Sequence, residues 1–145
     1  MGYSVFFSFH YDDVKSFRAN VVRNCHRFTK FNGLFTDSSM WENGRPQTPA
    51  QVKKIINESE LTITDVTVVL IGQKTHERRW VKYEIVKSFE QGNTLLGIHI
   101  NRIKGKEQKI ISKGKNPFDR LGFEYEAESD TLYFYELVLS TCQKL

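Results

Sequence analysis

Staples, metal sites and membrane anchors are scarce in this sequence. Its 145 residues hold two cysteines, Cys25 and Cys142, far apart and in no metal-type pair. Idle or buried thiols in a reducing compartment are the simplest reading, so a cytoplasmic location is expected. No apolar run approaches the ~20 residues that a membrane-spanning helix needs. Met1-Gly2-Tyr3 leads straight into an apolar run without the charged region of a signal peptide. Phe6 stands where a myristoylation signal needs Ser or Thr. Gly33, Gly44 and Gly72 are isolated, and none is followed by Lys-Ser or Lys-Thr, which excludes a P-loop cradle for phosphates. His10 and His76 lack a partner at i+4, so no metal ion is expected.

What the chain does have is apolar and aromatic substance. Hydrophobic residues make up 39% and aromatics 13%, which argues for a packed globule rather than a disordered chain. At this length one domain, residues 1–145, is the simplest organisation, burying roughly 70% of the unfolded surface. The net charge of +4 is local. Arg102, Lys104, Lys106, Lys109, Lys113 and Lys115 face a single acid, Glu107, so that segment is +5 and the remainder −1. A basic loop without interleaved aromatics is a poor nucleic-acid groove, although it can attract a small anion.

The pattern along the chain alternates strands and helices. Tyr3 to Phe9 reads as a first strand, and Asp12 or Asp13 as the cap of a helix with the stripe Val14, Phe17, Val21 and Phe28. Leu34 to Thr36 reads as a second strand. Thr48 caps a helix with Pro49 at its first position and Val52, Ile55 and Ile56 on its buried side. Val66 to Leu70 is a third strand without polar alternation, as expected where both faces are covered. A helix after Thr75 buries Val81, Ile85 and Phe89, and Thr94 to Ile100 is a fourth strand. Residues 101–130 carry no clear pattern. Thr131 to Tyr135 reads as a fifth strand, followed by a short helix. The expectation is an α/β domain: a five-stranded, mainly parallel sheet with helices on both faces.

Chemistry concentrates after the third strand. In Trp80-Val81-Lys82-Tyr83-Glu84 the indole and the carboxylate are four residues apart and share a helix face. That face lies beside the C-terminal end of a strand, where open α/β sheets bind ligands. Glu84 also adjoins the apolar stripe, so partial desolvation is expected. A rim glutamate paired with Lys82, Lys87 or Arg79 accounts for the same spacing. Tyr11, Trp41 and Phe118 are aromatics in polar segments that can stack on a heterocycle, or simply anchor their loops. Asp37, Ser38 and Ser39 follow the second strand and can bind ribose hydroxyls, or form a turn and cap cluster. A phosphoacceptor receiver domain would explain Asp12-Asp13. Its acceptor position, however, falls at Leu70-Ile71-Gly72, and Tyr135-Glu136 offers no lysine.

Val5 to Asp13, Val68 to Gly72, Thr75, Trp80-Val81 with Glu84-Ile85, and Leu95 to Ile98 together resemble the TIR-like family. Within it they are most similar to the TIR proteins of the Thoeris antiphage-defence system. The resemblance spans nearly the whole chain, and Trp80 and Glu84 match the Trp-x-x-x-Glu motif of catalytic TIR domains. It implies a flavodoxin-like fold and an enzyme whose glutamate, here Glu84, cleaves NAD. Phe6, Ser8, Tyr11, Asp37, Ser38, Trp41, Trp80 and Phe118 would then contact the substrate. It further implies a cyclic ADP-ribose isomer as product, a separate effector that the product activates, and possible self-association. NAD enters as substrate, with no other cofactor. A TIR-type scaffold without catalysis is the alternative. The basic segment from Arg102 onward departs from the usual TIR pattern.

Overall fold

The computed structural model describes residues 4–24, 35–37, 48–58, 63–126, 131–138 and 141–144. Its centre is a four-stranded sheet in which every pairing is parallel, with β1 (Val5–Phe9), β2 (Phe35–Asp37), β3 (Val66–Ile71) and β4 (Thr94–His99) in the order β2-β1-β3-β4. The order turns about β1 and β3, which places a crevice at their C-terminal ends. All five residues of β1 are buried, because helices cover both faces.

Alternation along β1 sorts the core. Val5, Phe7 and Phe9 join Val68, Leu70 and Ile100 on one face, under α1 (Tyr11–Lys15) and α2 (Arg18–Asn24), through Ala19, Val14 and Val22. Phe6 points to the other face and meets Val52 and Ile56 of α3 (Pro49–Asn57). On that same face, Val69 and Ile71 pack on Val81 and Ile85 of α4 (Arg79–Glu90). Among the described residues no helix is long and apolar enough to cross a membrane.

Three expectations need correction. Among the described residues the parallel sheet has four strands rather than the expected five. Residues Thr131–Val138 form β6 of a separate antiparallel sheet, between β5 (Leu121–Glu126) and β7 (Thr141–Lys144). A run rich in Tyr, Phe and Leu has strand character but carries no information about its partner, and here the nearest strands in sequence supply it. The expected C-terminal helix is replaced by β7 at Thr141–Lys144. The third correction concerns the first helix. Phe17 takes a positive φ of 68° and breaks it after Lys15, so the apolar stripe loses its register. Phe17 and Val21 end 50% and 52% exposed, while Asp13, Arg18 and Ala19 are buried. Phe28 lies outside the described residues. Phe89 is likewise exposed, and Ser88 is the residue that α4 buries there.

Candidate active site and the strap beside it

The exit of β3 is fixed locally. The Thr75 hydroxyl accepts from the Gly72 amide at 2.8 Å and donates to the Leu70 carbonyl at 3.4 Å. Gly72 permits a close approach, since a Cβ there would stand 2.3 Å from an oxygen of the Asp13 carboxylate. From this turn α4 starts at Arg79, which puts Trp80 and Glu84 on one side of the helix. Farther along, the Ser88 hydroxyl donates to the Glu84 carbonyl at 2.7 Å. Its one proton is thereby used, so the Thr67 hydroxyl of β3 must donate to Ser88 across their 2.7 Å contact. Helix and sheet are tied together directly beneath the candidate carboxylate.

Glu84 has no exposed surface. The Ser8 hydroxyl, also fully buried on β1, donates to Glu84 Oε2. A carboxylate withdrawn from water is costly unless donors replace the lost hydration, and Ser8 supplies one. Beside this pair, half-buried Trp80 and Tyr83 pack on the cluster of Phe6, Val52 and Ile56. Their rings meet edge to face at 6.0 Å and 85°. The Tyr83 hydroxyl donates to Asn57 Oδ1 at 3.1 Å, pinning α4 to α3. Cations crowd the rim: Arg79 lies 4.9 Å from the Trp80 ring, and Lys53 and Lys87 lie 5.5 and 5.8 Å from Tyr83.

Of the residues singled out in the sequence, Phe6, Ser8, Trp80 and Glu84 thus gather on one flank of α4. Asp37 ends β2 in register with Phe7, at the edge of the sheet next to β1. Tyr11 opens α1 just beyond β1, half-buried, with Lys15 Nζ 4.9 Å from its ring. Phe118 is placed elsewhere: it packs with Val69, Ile71, Val81 and Ile85 on the other flank of α4. A Cβ on Gly97 would touch its ring at 3.0 Å, so the phenyl lies on β4. Ser38 and Trp41 lie outside the described residues.

Within the patternless segment, residues 101–116 form a strap, and Leu121–Glu126 form β5. From Ile100 the strap runs back across the sheet's C-terminal edge, with the Ile111 amide bonded to the Asn101 carbonyl at 3.0 Å. Buried Arg18 holds it, donating from Nε to the Ile103 carbonyl at 3.1 Å and from Nη2 to the Lys109 carbonyl at 2.7 Å. The Lys106 amide adds a bond to the Ser16 carbonyl at 2.9 Å. Gly114 lies so close to Gly72 that a Cβ would stand 2.0 Å from the Gly72 carbonyl oxygen. Arg18 was not among the residues singled out in the sequence. Gly105 and Gly114, alone in a basic loop, were the available signal that backbone approaches something closely there.

Two further polar groups shape this edge. His10, not an aspartate, caps α1: its Nδ1 accepts from the Asp12 amide at 2.9 Å. Burial, with the nearby Arg78 charge, lowers its pKa and favours the neutral ring that this acceptor role requires. Burial pushes the Asp13 carboxyl up to about 6, with Arg18 pulling the other way.

Comparison with known proteins bears on this arrangement. The family described as Thoeris protein ThsB, TIR-like domain, matches residues 6–105, which include every described residue of the Phe6, Ser8, Trp80 and Glu84 cluster. A protein of Bacillus cereus (strain MSX-D12), provisionally named a cyclic ADP-D-ribose synthase, ThsB1, is 51% identical over 140 residues, spanning 94% of this chain and 71% of its own.

Proposed function

Because the chain belongs to the family of Thoeris ThsB TIR-like domains, we propose that it cleaves NAD and cyclises the ADP-ribose into a signal. The observation that carries this reading is Glu84, fully buried, held by the Ser8 hydroxyl and flanked by Trp80 and Phe6. Nicotinamide in NAD is cationic. When the C1′–N bond breaks, the electron pair goes to the ring nitrogen and the base departs neutral. No acid is needed for the leaving group, whereas ordinary glycosidases use two carboxylates because their leaving oxygen must be protonated. One glutamate suffices to stabilise the positive charge that develops on the ribose. Another nucleophilic atom of the same molecule then attacks C1′ and gives up its proton, which closes the ring. Water must be kept from C1′ meanwhile, and the aromatic wall of Trp80 and Phe6 suits that task.

In this reading Glu84 is catalytic and Phe6, Ser8 and Trp80 line the substrate site. Asp37 and Tyr11 complete it from the β2 side and the β1 exit, and the family resemblance adds Ser38 and Trp41 as substrate contacts. No cofactor besides the substrate NAD is used. The product diffuses to a separate effector protein in the cytoplasm, and copies of the chain can self-associate.

Incubation of the protein with NAD, followed by chromatography of nicotinamide and ADP-ribose species, tests the reading. Glu84→Gln keeps the shape and removes the charge, so nicotinamide release should fall at least ~100-fold with the melting temperature nearly unchanged. A folded Glu84→Gln protein with full turnover would remove Glu84 from the chemistry. If neither protein releases nicotinamide when infection or the purified trigger is supplied, the scaffold alternative stands instead.

A further inference from the structure

The strap and α1 enclose a cleft of about 470 Å³, lined on one side by Lys15, Ser16 and Arg18 and on the other by Lys106, Lys109 and Ile110. A second cleft, about 240 Å³, shares Asp12, Ser16, Arg18 and Ile111 with it and reaches His10, Gln73 and Lys74. The pair forms one trough from the basic turn to the C-terminal ends of β1 and β3. That is the topological crevice at which open parallel sheets bind ligands. The trough lies on the α1 side of the sheet, whereas Ser8 and Glu84 lie on the α4 side. Neither cleft is lined by any residue of the catalytic cluster.

We propose that this trough is a second binding site, for a nucleoside diphosphate or a similar phosphate-bearing anion. Its lining carries five cations (Lys15, Arg18, Lys74, Lys106 and Lys109) against Asp12, Asp13 and Glu107. Cations stand on both walls, with Arg18 buried and the lysines exposed, so a phosphate chain between them would be met from two sides. The strap wall is pre-shaped: Arg18 spends its donors on Ile103 and Lys109 carbonyls, and the turn closes through the Gly105 amide on the Lys109 carbonyl at 3.1 Å. Gln108 accepts a φ of 58° to make that turn. A wall already ordered loses little entropy when a ligand arrives. Ile110, 61% exposed, adds an apolar surface at the mouth for a base. The cleft volume falls in the usual range for small-molecule sites.

The test is direct binding, without turnover, so it succeeds or fails independently of the NAD reading. Calorimetric titration of the full chain with ADP, at low and at physiological salt, should give saturable binding for which inorganic pyrophosphate competes. Lys106→Glu with Lys109→Glu should weaken it at least ~10-fold, and the milder Lys106→Gln with Lys109→Gln several-fold, with unchanged melting temperatures. Glu84→Gln, and Lys54→Glu on exposed α3, should bind as the unmodified protein does. Equal weakening by Lys54→Glu would mean diffuse charge attraction only, and overturn the site. Loss in Glu84→Gln with retention in the lysine variants would place the ligand on the catalytic side, and also overturn it. Absence of saturable binding would do the same.

Discussion

Two buried polar side chains, Ser8 and Asp13, carry separable consequences. Ser8 has one visible task, donating its proton to Glu84 Oε2 inside the core. Ser8→Ala leaves a buried carboxylate short of a donor, which costs about 1–3 kcal/mol. The variant should melt earlier and turn over NAD more slowly, because the carboxylate is no longer held in one orientation. Urea unfolding together with nicotinamide release checks both, and an unchanged value in each removes Ser8 from the site. Asp13 titrates near 6, above its ordinary value of 3.8, chiefly through burial. Below roughly pH 4 the folded and unfolded chains are both protonated there, and the full stabilising contribution is present. As the pH rises toward 6 the unfolded chain releases its proton first, and that contribution is lost. Asp13→Asn cannot titrate, so its stability relative to the parent should climb between pH 4 and 6.5. A relative stability that stays flat across this window would contradict the buried-carboxyl account.

At the scale of elements, the legible parts were those whose signals are local. Thr48 caps α3 as expected, accepting from the Gln51 amide at 3.3 Å, and Pro49 opens the helix; the Gln51 side chain, not foreseen, accepts from the Thr48 amide at 2.9 Å. The unbroken apolar run of β3 gave a strand buried on both faces. The α1–α2 break was not legible, because periodicity assumes that apolar residues face inward. Here Asp13 and Arg18 take the inner positions to meet Gly72 and the strap, and Phe17 is displaced to the surface. That Trp80 and Glu84 share one side of α4 was legible from helical spacing. The Ser8 contact was not, since it joins residues 76 positions apart. The strap itself makes a prediction. Gly114→Ala would set a methyl 2.0 Å from the Gly72 carbonyl oxygen, so the strap must shift away from the β3 exit. Overpacking of this kind costs about 1–3 kcal/mol. Hydrogen exchange should show residues 101–116 losing protection in this variant while β1 and β3 keep theirs; uniform loss or none would refute the strap as a distinct unit.

For the whole molecule, α4 divides the sheet face into two aromatic neighbourhoods with different duties. Trp80 and Phe6 lie on the β1 flank beside Glu84, whereas Phe118 lies on the β4 flank, closing the core over Gly97, Ile71 and Val81. In the proposed reaction cyclisation competes with hydrolysis for the same C1′ atom, so with Glu84 at the site the cyclic-to-linear ratio of products would report how dry that flank is. Trp80→Ala should therefore shift products toward linear ADP-ribose, since water gains access where the indole stood. Phe118→Ala should cost about 2–4 kcal/mol of stability through the cavity it leaves, yet preserve the ratio in the molecules that remain folded. Both variants are to be assayed well below their melting temperatures, with the ratio read by chromatography. A ratio that moves with Phe118 and not with Trp80 would reverse the assignment of the two flanks. The substrate pocket would then have to be sought on the β4 side of α4.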